Sequence, residues 1–183
     1  SVDVYLAFGP FMERLARELA VRLRRVLPAG SLNLDERQEL LAGLDGRKEA
    51  AAYDVVYLDQ GVWPHNDFDA ETGRSVEWNL AFLGRLQHAR PDLRAAYQLR
   101  PYAPGQEAQK EAALAAVARL CPEVKVLDND GRGGSYAAIH RSRLVLTLQS
   151  TLGYEAFFIG GGRKTLFVNL YRHARHALGL GGP

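Results

Sequence analysis

Hydrophobic positions along the chain fall into two recurring patterns, short apolar runs and stripes at helical spacing. Val2 to Phe8 (VDVYLAF) reads as a strand broken by Gly9-Pro10, and a helix is expected over about Phe11 to Arg24, with Met12, Leu15, Leu19 and Leu23 on one stripe. A short strand is expected at Val26 to Ala29, ending at Gly30-Ser31. Leu34 to Ala52 is charged, alanine-rich and interrupted by Gly43 and Gly46, which predicts a short helix and a linker. The next strand is Tyr53 to Leu58 (YDVVYL), and the segment Asp59 to Gly73 reads as a loop that is long for a strand-to-helix connection. Apolar residues Val76, Leu80, Leu83 and Leu86 give a helix over Ser75 to Arg90, stopped by Pro91. The alternation continues with a strand at Leu93 to Leu99, a helix at Glu107 to Cys121, a strand at Val124 to Leu127 and a short helix at Ser135 to Arg143.

The stretch Leu144 to Leu170 carries the clearest unit. Leu144 to Leu148 reads as a buried parallel strand, and it stops at Gln149-Ser150-Thr151, where hydroxyls can cap a helix. Leu152, Ala156 and Ile159 share one face of that helix, Gly160 to Gly162 end it, and Thr165 to Leu170 forms another strand. Strand–helix–strand units build parallel sheets, whose ligands bind at the carboxyl ends of the strands. Ser150, Thr151 and Gly153 fall at such an end, and free N–H groups at a helix start attract phosphate where small residues let it approach. The whole pattern predicts an α/β protein with a doubly wound, Rossmann-like parallel sheet and helices on both faces.

The order of residues in this stretch also resembles a known family. A strand, then Ser150-Thr151-Leu152-Gly153-Tyr154-Glu155-Ala156, a glycine-rich turn with Arg163 and Lys164, and Leu166-Phe167-Val168-Asn169 looks like the donor-binding signature of GT-B glycosyltransferases, closest to those that make surface and capsular carbohydrates. The resemblance implies a GT-B C-terminal-domain type of fold. By it, Ser150 and Thr151 hold the diphosphate of a nucleotide-diphosphate sugar, Glu155 contacts the ribose, and Arg163 or Lys164 neutralises the leaving diphosphate. Arg100 before Pro101 is similar to the basic residue and proline that follow the second strand of such donor domains; it either faces a phosphate or is a solvated arginine at a strand end. His140 lies on the helix that contacts base or diphosphate in this superfamily, although a lone helical histidine is also at home as a structural or solvated residue.

The same resemblance sets the expected organisation. Residues 1-32 would close an N-terminal βαβ region, 33-52 form the linker, and 53-183 the nucleotide-sugar-binding domain. The rest of the first domain is then missing, and with it the catalytic base, so no catalytic residue is assigned. The donor is a substrate and no bound cofactor or metal is expected; the acceptor is a saccharide or a lipid-linked one. A sugar-nucleotide epimerase shares the diphosphate site, and for its acid and base only His65, Asp67, Asp69 and His140 present themselves. The third expectation is a doubly wound domain that binds a nucleotide or a protein without turnover.

Composition narrows the partners. A formal net charge of +2 gives no electrostatic case for nucleic acid, and 47% hydrophobic with 24% charged residues is ordinary for a globular chain. No apolar run approaches the roughly 20 residues that a membrane-spanning helix needs. Cys121 is the single cysteine, so it cannot form an internal disulfide, and a cytoplasmic setting is expected, with lipid-linked acceptors allowing a peripheral place at the inner membrane face. Asp128-Asn129-Asp130 before Gly131 is read as turn chemistry rather than as the Asp-x-Asp metal motif of GT-A enzymes. The glycines from Gly131 to Gly134 are read as flexibility, since they lack the GxGxxG order, and His173 and His176 as part of a basic terminal helix.

Overall fold

In the computed structural model of the chain, the described residues are 2–7, 23–28, 34, 37–45, 51–60, 67–129, 131, 133–148, 150–156, 159 and 164–168. They belong to two compact units, one containing the first two strands and the other beginning at Leu40.

In the first unit, β1 (Val2–Ala7) and β2 (Leu23–Pro28) pair in parallel, with Val2 opposite Leu23 and Ala7 opposite Pro28. Leu23 and Arg24 are therefore strand, not the end of the helix expected over Phe11 to Arg24. A partner strand satisfies their backbone groups, and this outweighs the helical spacing of one leucine. The rest of that expected helix lies outside the described residues. Helix α1 (Gln38–Asp45) falls within the stretch expected to hold a short helix and a linker.

The second unit, Leu40 to Ala177, is an α/β unit. In chain order it contains β3 (Tyr53–Leu58), α2 (Asp67–Ala89), β4 (Ala95–Gln98), α3 (Glu107–Leu120), β5 (Lys125–Leu127), α4 (Gly134–His140), β6 (Ser142–Thr147), α5 (Thr151–Glu155) and β7 (Lys164–Phe167). The strands form a 5-stranded sheet in the order β5-β4-β3-β6-β7, and every pair is parallel. The unit is Rossmann-like, as the alternation of apolar runs and stripes predicts.

Alternation along each strand sends side chains to two helical layers. Val55 and Tyr57 of β3, Ala95 and Tyr97 of β4 and Leu146 of β6 join Val76, Leu80 and Leu83 of α2 and Ala113, Ala116 and Val117 of α3 in one cluster. On the other face α4 rests on β3 and β6, burying Tyr136, Ala138 and Ile139, and α5 rests on β6 and β7. A sheet covered on both faces explains why Val55, Val56, Tyr57 and Leu58 are all buried and read as one apolar run.

Two boundaries differ from the sequence reading. Helix α2 begins at Asp67, so the second half of the expected loop is helical. Asp67 and Asp69, which look like turn residues, are also favoured in a first helical turn, where their charge meets the positive end of the helix dipole. Helix α4 stops at His140, and Ser142 and Arg143, expected to be helical, open β6 opposite Tyr53. Helix α2 comes close to the end of α3 at Gly84: a Cβ built there would meet the carbonyl oxygen of Leu120 and lie 3.3 Å from the Cα of Cys121.

The amino-terminal edge of the sheet is tied by charge. Asp54 accepts from the Arg94 side chain at 3.2 Å and its backbone N–H at 3.0 Å, and from Arg143 at 3.4 Å. Chiefly the Arg94 hydrogen bonds hold the Asp54 carboxyl at about 2, below its ordinary 3.8. A depressed folded value means that this stabilisation is complete above the unfolded value and is lost as pH falls from about 4 toward 2. Both arginines are largely exposed, so water screens the pairs and we expect about 1 kcal/mol from them. Urea unfolding across this pH range is expected to show a steeper loss of stability in the wild type than in Asp54→Asn; identical slopes would contradict the assignment.

Candidate functional site at the sheet's switch point

Strand β3 has β4 on one side and β6 on the other. The chain leaves β3 for β4 through α2 on one face and reaches β6 through α4 on the other, so the strand order reverses between β3 and β6. Open α/β sheets bind ligands in the crevice outside the carboxyl ends at such a reversal. Here those ends are Asp59 and Gln60 after β3 and the residues up to Ser150 after β6.

On the β3 side, Asp59 fixes the neighbouring loop. Asp59 is 7% exposed, and its carboxylate accepts from the Tyr102 hydroxyl at 2.6 Å and the Arg100 backbone N–H at 3.3 Å. The rings of Tyr57 and Tyr97 stack with centroids 5.7 Å apart. Burial first, and then the Asp59 carboxylate, push the Tyr97 hydroxyl well above its ordinary 10, so it stays protonated. The Arg100 guanidinium lies 5.2 Å from the Tyr102 ring centroid and donates to Gln106 Oε1 at 3.1 Å. Arg100 thus stands at the carboxyl edge, held by Tyr102 and Gln106 of its own loop and, through its backbone N–H, by Asp59.

On the β6 side, Ser150 caps α5. Its backbone is extended (φ −67, ψ 137), and its Oγ accepts from the Leu152 N–H at 3.2 Å, as expected of a hydroxyl at that position. Thr147 joins the two sides. Its Oγ1 accepts from Gln60 Nε2 at 2.9 Å and from the Ser150 N–H at 3.3 Å, while Gln60 Nε2 also donates to Leu58 O at 3.2 Å. Thr151 follows Ser150 at the start of α5 and is exposed.

Two other expected site residues serve packing. Gly153 is buried, and a Cβ there would lie 2.5 Å from Thr147 Cγ2 and 3.0 Å from the Phe167 ring. The missing side chain lets α5 settle onto β6 and β7, rather than opening space for a phosphate. Glu155 is 1% exposed and accepts from the Tyr136 hydroxyl at 2.8 Å, which ties α5 to α4.

His140 and Lys164 lie at the other side of the sheet. His140 ends α4 beside Arg141, whose carbonyl accepts from the N–H of Tyr53 at the start of β3. Lys164 opens β7 level with Leu144, whereas the carboxyl edge is at Phe167, level with Thr147. At about 3.3 Å per residue, this puts Lys164 roughly 10 Å short of that edge. A helix that leaves the carboxyl edge must return the chain to the amino edge before the next parallel strand begins. The grouping of Lys164 and His140 with Ser150 is corrected on this ground. Arg163, His65, His173, His176 and the glycines from 160 to 162 lie outside the described residues, as do the side chains of Asp67 and Asp69.

The sequence reading missed Asp59, Gln60 and Thr147 as site residues. Their available signal was position alone, a polar residue at the carboxyl end of an apolar strand. At β5, Asn129 Oδ1 accepts from the Gly131 N–H at 3.0 Å and its Nδ2 donates to Ser135 Oγ at 2.7 Å, the turn chemistry expected there. Gly131 and Gly133 have φ of +76 and +103, left-handed backbone that glycine adopts without a Cβ clash. Cys121 is buried, and burial pushes its thiol up to about 11, which suits a packing role. Among the described residues, no group of three or more His, Cys, Asp or Glu side chains is arranged to hold a metal ion. No helix among them is long and apolar enough to cross a membrane. No protein-family model matches this chain, and no curated protein matches it.

Proposed function

We propose that the unit from Leu40 onward binds a nucleotide-diphosphate sugar at the β3–β6 crevice, as the donor-binding part of a GT-B-type glycosyltransferase of surface-polysaccharide synthesis. The observation that carries this reading is the strand order, which brings Ser150 and Thr151 to the reversal point with Arg100 on the same edge. In this reading Ser150 and Thr151 hold the diphosphate, and Arg100 supplies positive charge to the leaving group, whose stabilisation is the main contribution of a donor domain to transfer. The acceptor, a saccharide or a lipid-linked one, and the catalytic base are supplied from outside this crevice.

One observation favours a second reading, a nucleotide-binding domain without turnover. Glu155 and Gly153 have structural work between α4, α5 and the sheet, so part of the Ser-Thr-x-Gly-x-Glu pattern is explained by packing. Of the acid and base candidates of an epimerase, His140 stands at the amino edge, away from this crevice.

Calorimetric titration of the chain with UDP, GDP, CDP and CMP tests the proposal. One nucleotide is expected to bind selectively, and Ser150→Ala/Thr151→Ala is expected to weaken it by about tenfold or more, the size of one or two lost hydrogen bonds. Absence of binding to any of the four by the folded chain would contradict the proposal.

A further inference from the structure

Helix α2 carries an outward face that the sheet does not use. Val76, Leu80 and Leu83 are buried in the core, while the opposite face presents Trp78 and Phe82, 52% and 47% exposed, between the exposed arginines Arg74 and Arg85. The positions 74, 78, 82 and 85 recur at helical spacing, so these side chains form one ridge along about three turns. Two large aromatic side chains half open to water on adjacent turns make a continuous apolar patch, and such patches mark contact surfaces. Arg74 and Arg85 take part in none of the ion pairs among the described residues, and Glu77 beside the ridge is already held by Arg119 at 2.7 Å.

The order of residues along the ridge decides what covers it. Counted from Trp78, Glu71 stands seven residues before and Arg85 seven after, while Arg74 stands four before and Phe82 four after. When two identical helices pack antiparallel about a two-fold axis, each residue before the axis faces the residue equally far after it on the other copy. An axis at Trp78 therefore sets Arg85 opposite the partner's Glu71 and Arg74 opposite the partner's Phe82, each arrangement occurring twice. The first is an ion pair, and the second is a cation against an aromatic ring. Asp67, the other acid at this register, falls opposite the partner's Ala89, so no like charges of the ridge meet. Parallel pairing would instead set Glu71, Arg74 and Arg85 each against its own charge. An anionic membrane suits the face less well, because Asp67 and Glu71 share it with the arginines and are repelled by such a surface.

We propose that this chain forms a two-fold dimer through α2, with Trp78 against the partner's Trp78 at the axis. The occupant of the face is a second copy of the chain. One helix against its copy lies at the small end of specific interfaces, so a dissociation constant of about 10–100 µM is expected. The dimer does not rest on what the β3–β6 crevice binds.

Sedimentation velocity of the full chain at concentrations from about 1 to 500 µM tests this. The wild type is expected to pass from monomer to dimer across that range. Trp78→Lys puts two ammonium groups at the axis and is expected to weaken the dimer about a hundredfold. Glu71→Arg and Arg85→Glu each bring like charges together and are each expected to weaken it about tenfold. Glu71→Arg/Arg85→Glu restores the pairing with its sense reversed and is expected to return to within about threefold of the wild type. Trp78 and Arg85 are exposed, so these substitutions leave the core intact, and recovery in the doubly reversed chain shows that neither single loss comes from misfolding. A wild type that stays monomeric throughout, including one that binds phosphatidylglycerol vesicles instead, overturns the proposal. So does a dimer that Trp78→Lys leaves intact, or a double reversal that dimerises no better than the single ones.

Discussion

Gly84→Ala is expected to lower stability by about 3 kcal/mol, although helix propensity alone would forecast a gain of about 1 kcal/mol for alanine in a helix interior. The sign is decided by what the methyl group meets. Its Cβ would fall within van der Waals overlap of the Leu120 carbonyl oxygen and 3.2 Å from the Leu120 carbonyl carbon. These are backbone atoms at the end of α3, and they cannot swing aside as a side chain can. Helices α2 and α3 would have to separate, opening the cluster that holds Leu80, Leu83, Ala116, Val117 and Cys121. For a chain of this size the midpoint of thermal unfolding is expected to fall by roughly 6–12 °C. An unchanged or raised midpoint by circular dichroism would show that α2 and α3 do not approach in this way.

The second large effect is expected at Glu155. Removing this carboxylate by Glu155→Ala leaves the buried Tyr136 hydroxyl without the acceptor 2.8 Å away and leaves a void between α4 and α5. Loss of this buried hydrogen bond together with lost packing is expected to cost about 2–4 kcal/mol. Glu155→Gln keeps the shape and an acceptor oxygen, so it is expected to cost about 1 kcal/mol and to bind nucleotide within about twofold of the wild type. Thermal unfolding and nucleotide titration of both variants separate the roles. A Glu155→Gln chain that is as stable as the wild type but has lost nucleotide affinity would return Glu155 to the ligand and contradict its assignment to packing.

What the sequence made legible follows from which interactions are local. Strand β3 is readable as Tyr53 to Leu58 because burial on both faces demands a continuous apolar run. The Ser150 cap is readable because it acts two residues along the chain. Strand order is not, because periodicity says which face is buried and nothing of which strand lies alongside. Gln60 and Thr147 are 87 residues apart, and only the placement of β6 beside β3 brings them together. Gly84 likewise gives no local sign, since the contact it permits is with the backbone of a different helix. The grouping of Lys164 with Ser150 shows the opposite hazard: closeness in sequence across a strand–helix–strand unit puts two residues at opposite edges of a parallel sheet. Glu155 and Gly153 show a third, since a residue pattern that serves a ligand in one setting is equally served by packing of α5 on α4 and the sheet.

The central claim is that the carboxyl edge of the sheet between β3 and β6 holds the nucleotide, and titration of two edge variants with the nucleotide preferred by the wild type tests it most directly. Ser150→Ala/Thr151→Ala changes the carboxyl edge and His140→Ala/Lys164→Ala the amino edge, each in a chain shown to be folded at the working temperature. The account predicts a loss of about tenfold or more in the first and a change within about twofold in the second. A loss confined to the His140→Ala/Lys164→Ala chain, with the Ser150→Ala/Thr151→Ala chain binding as the wild type does, would contradict it.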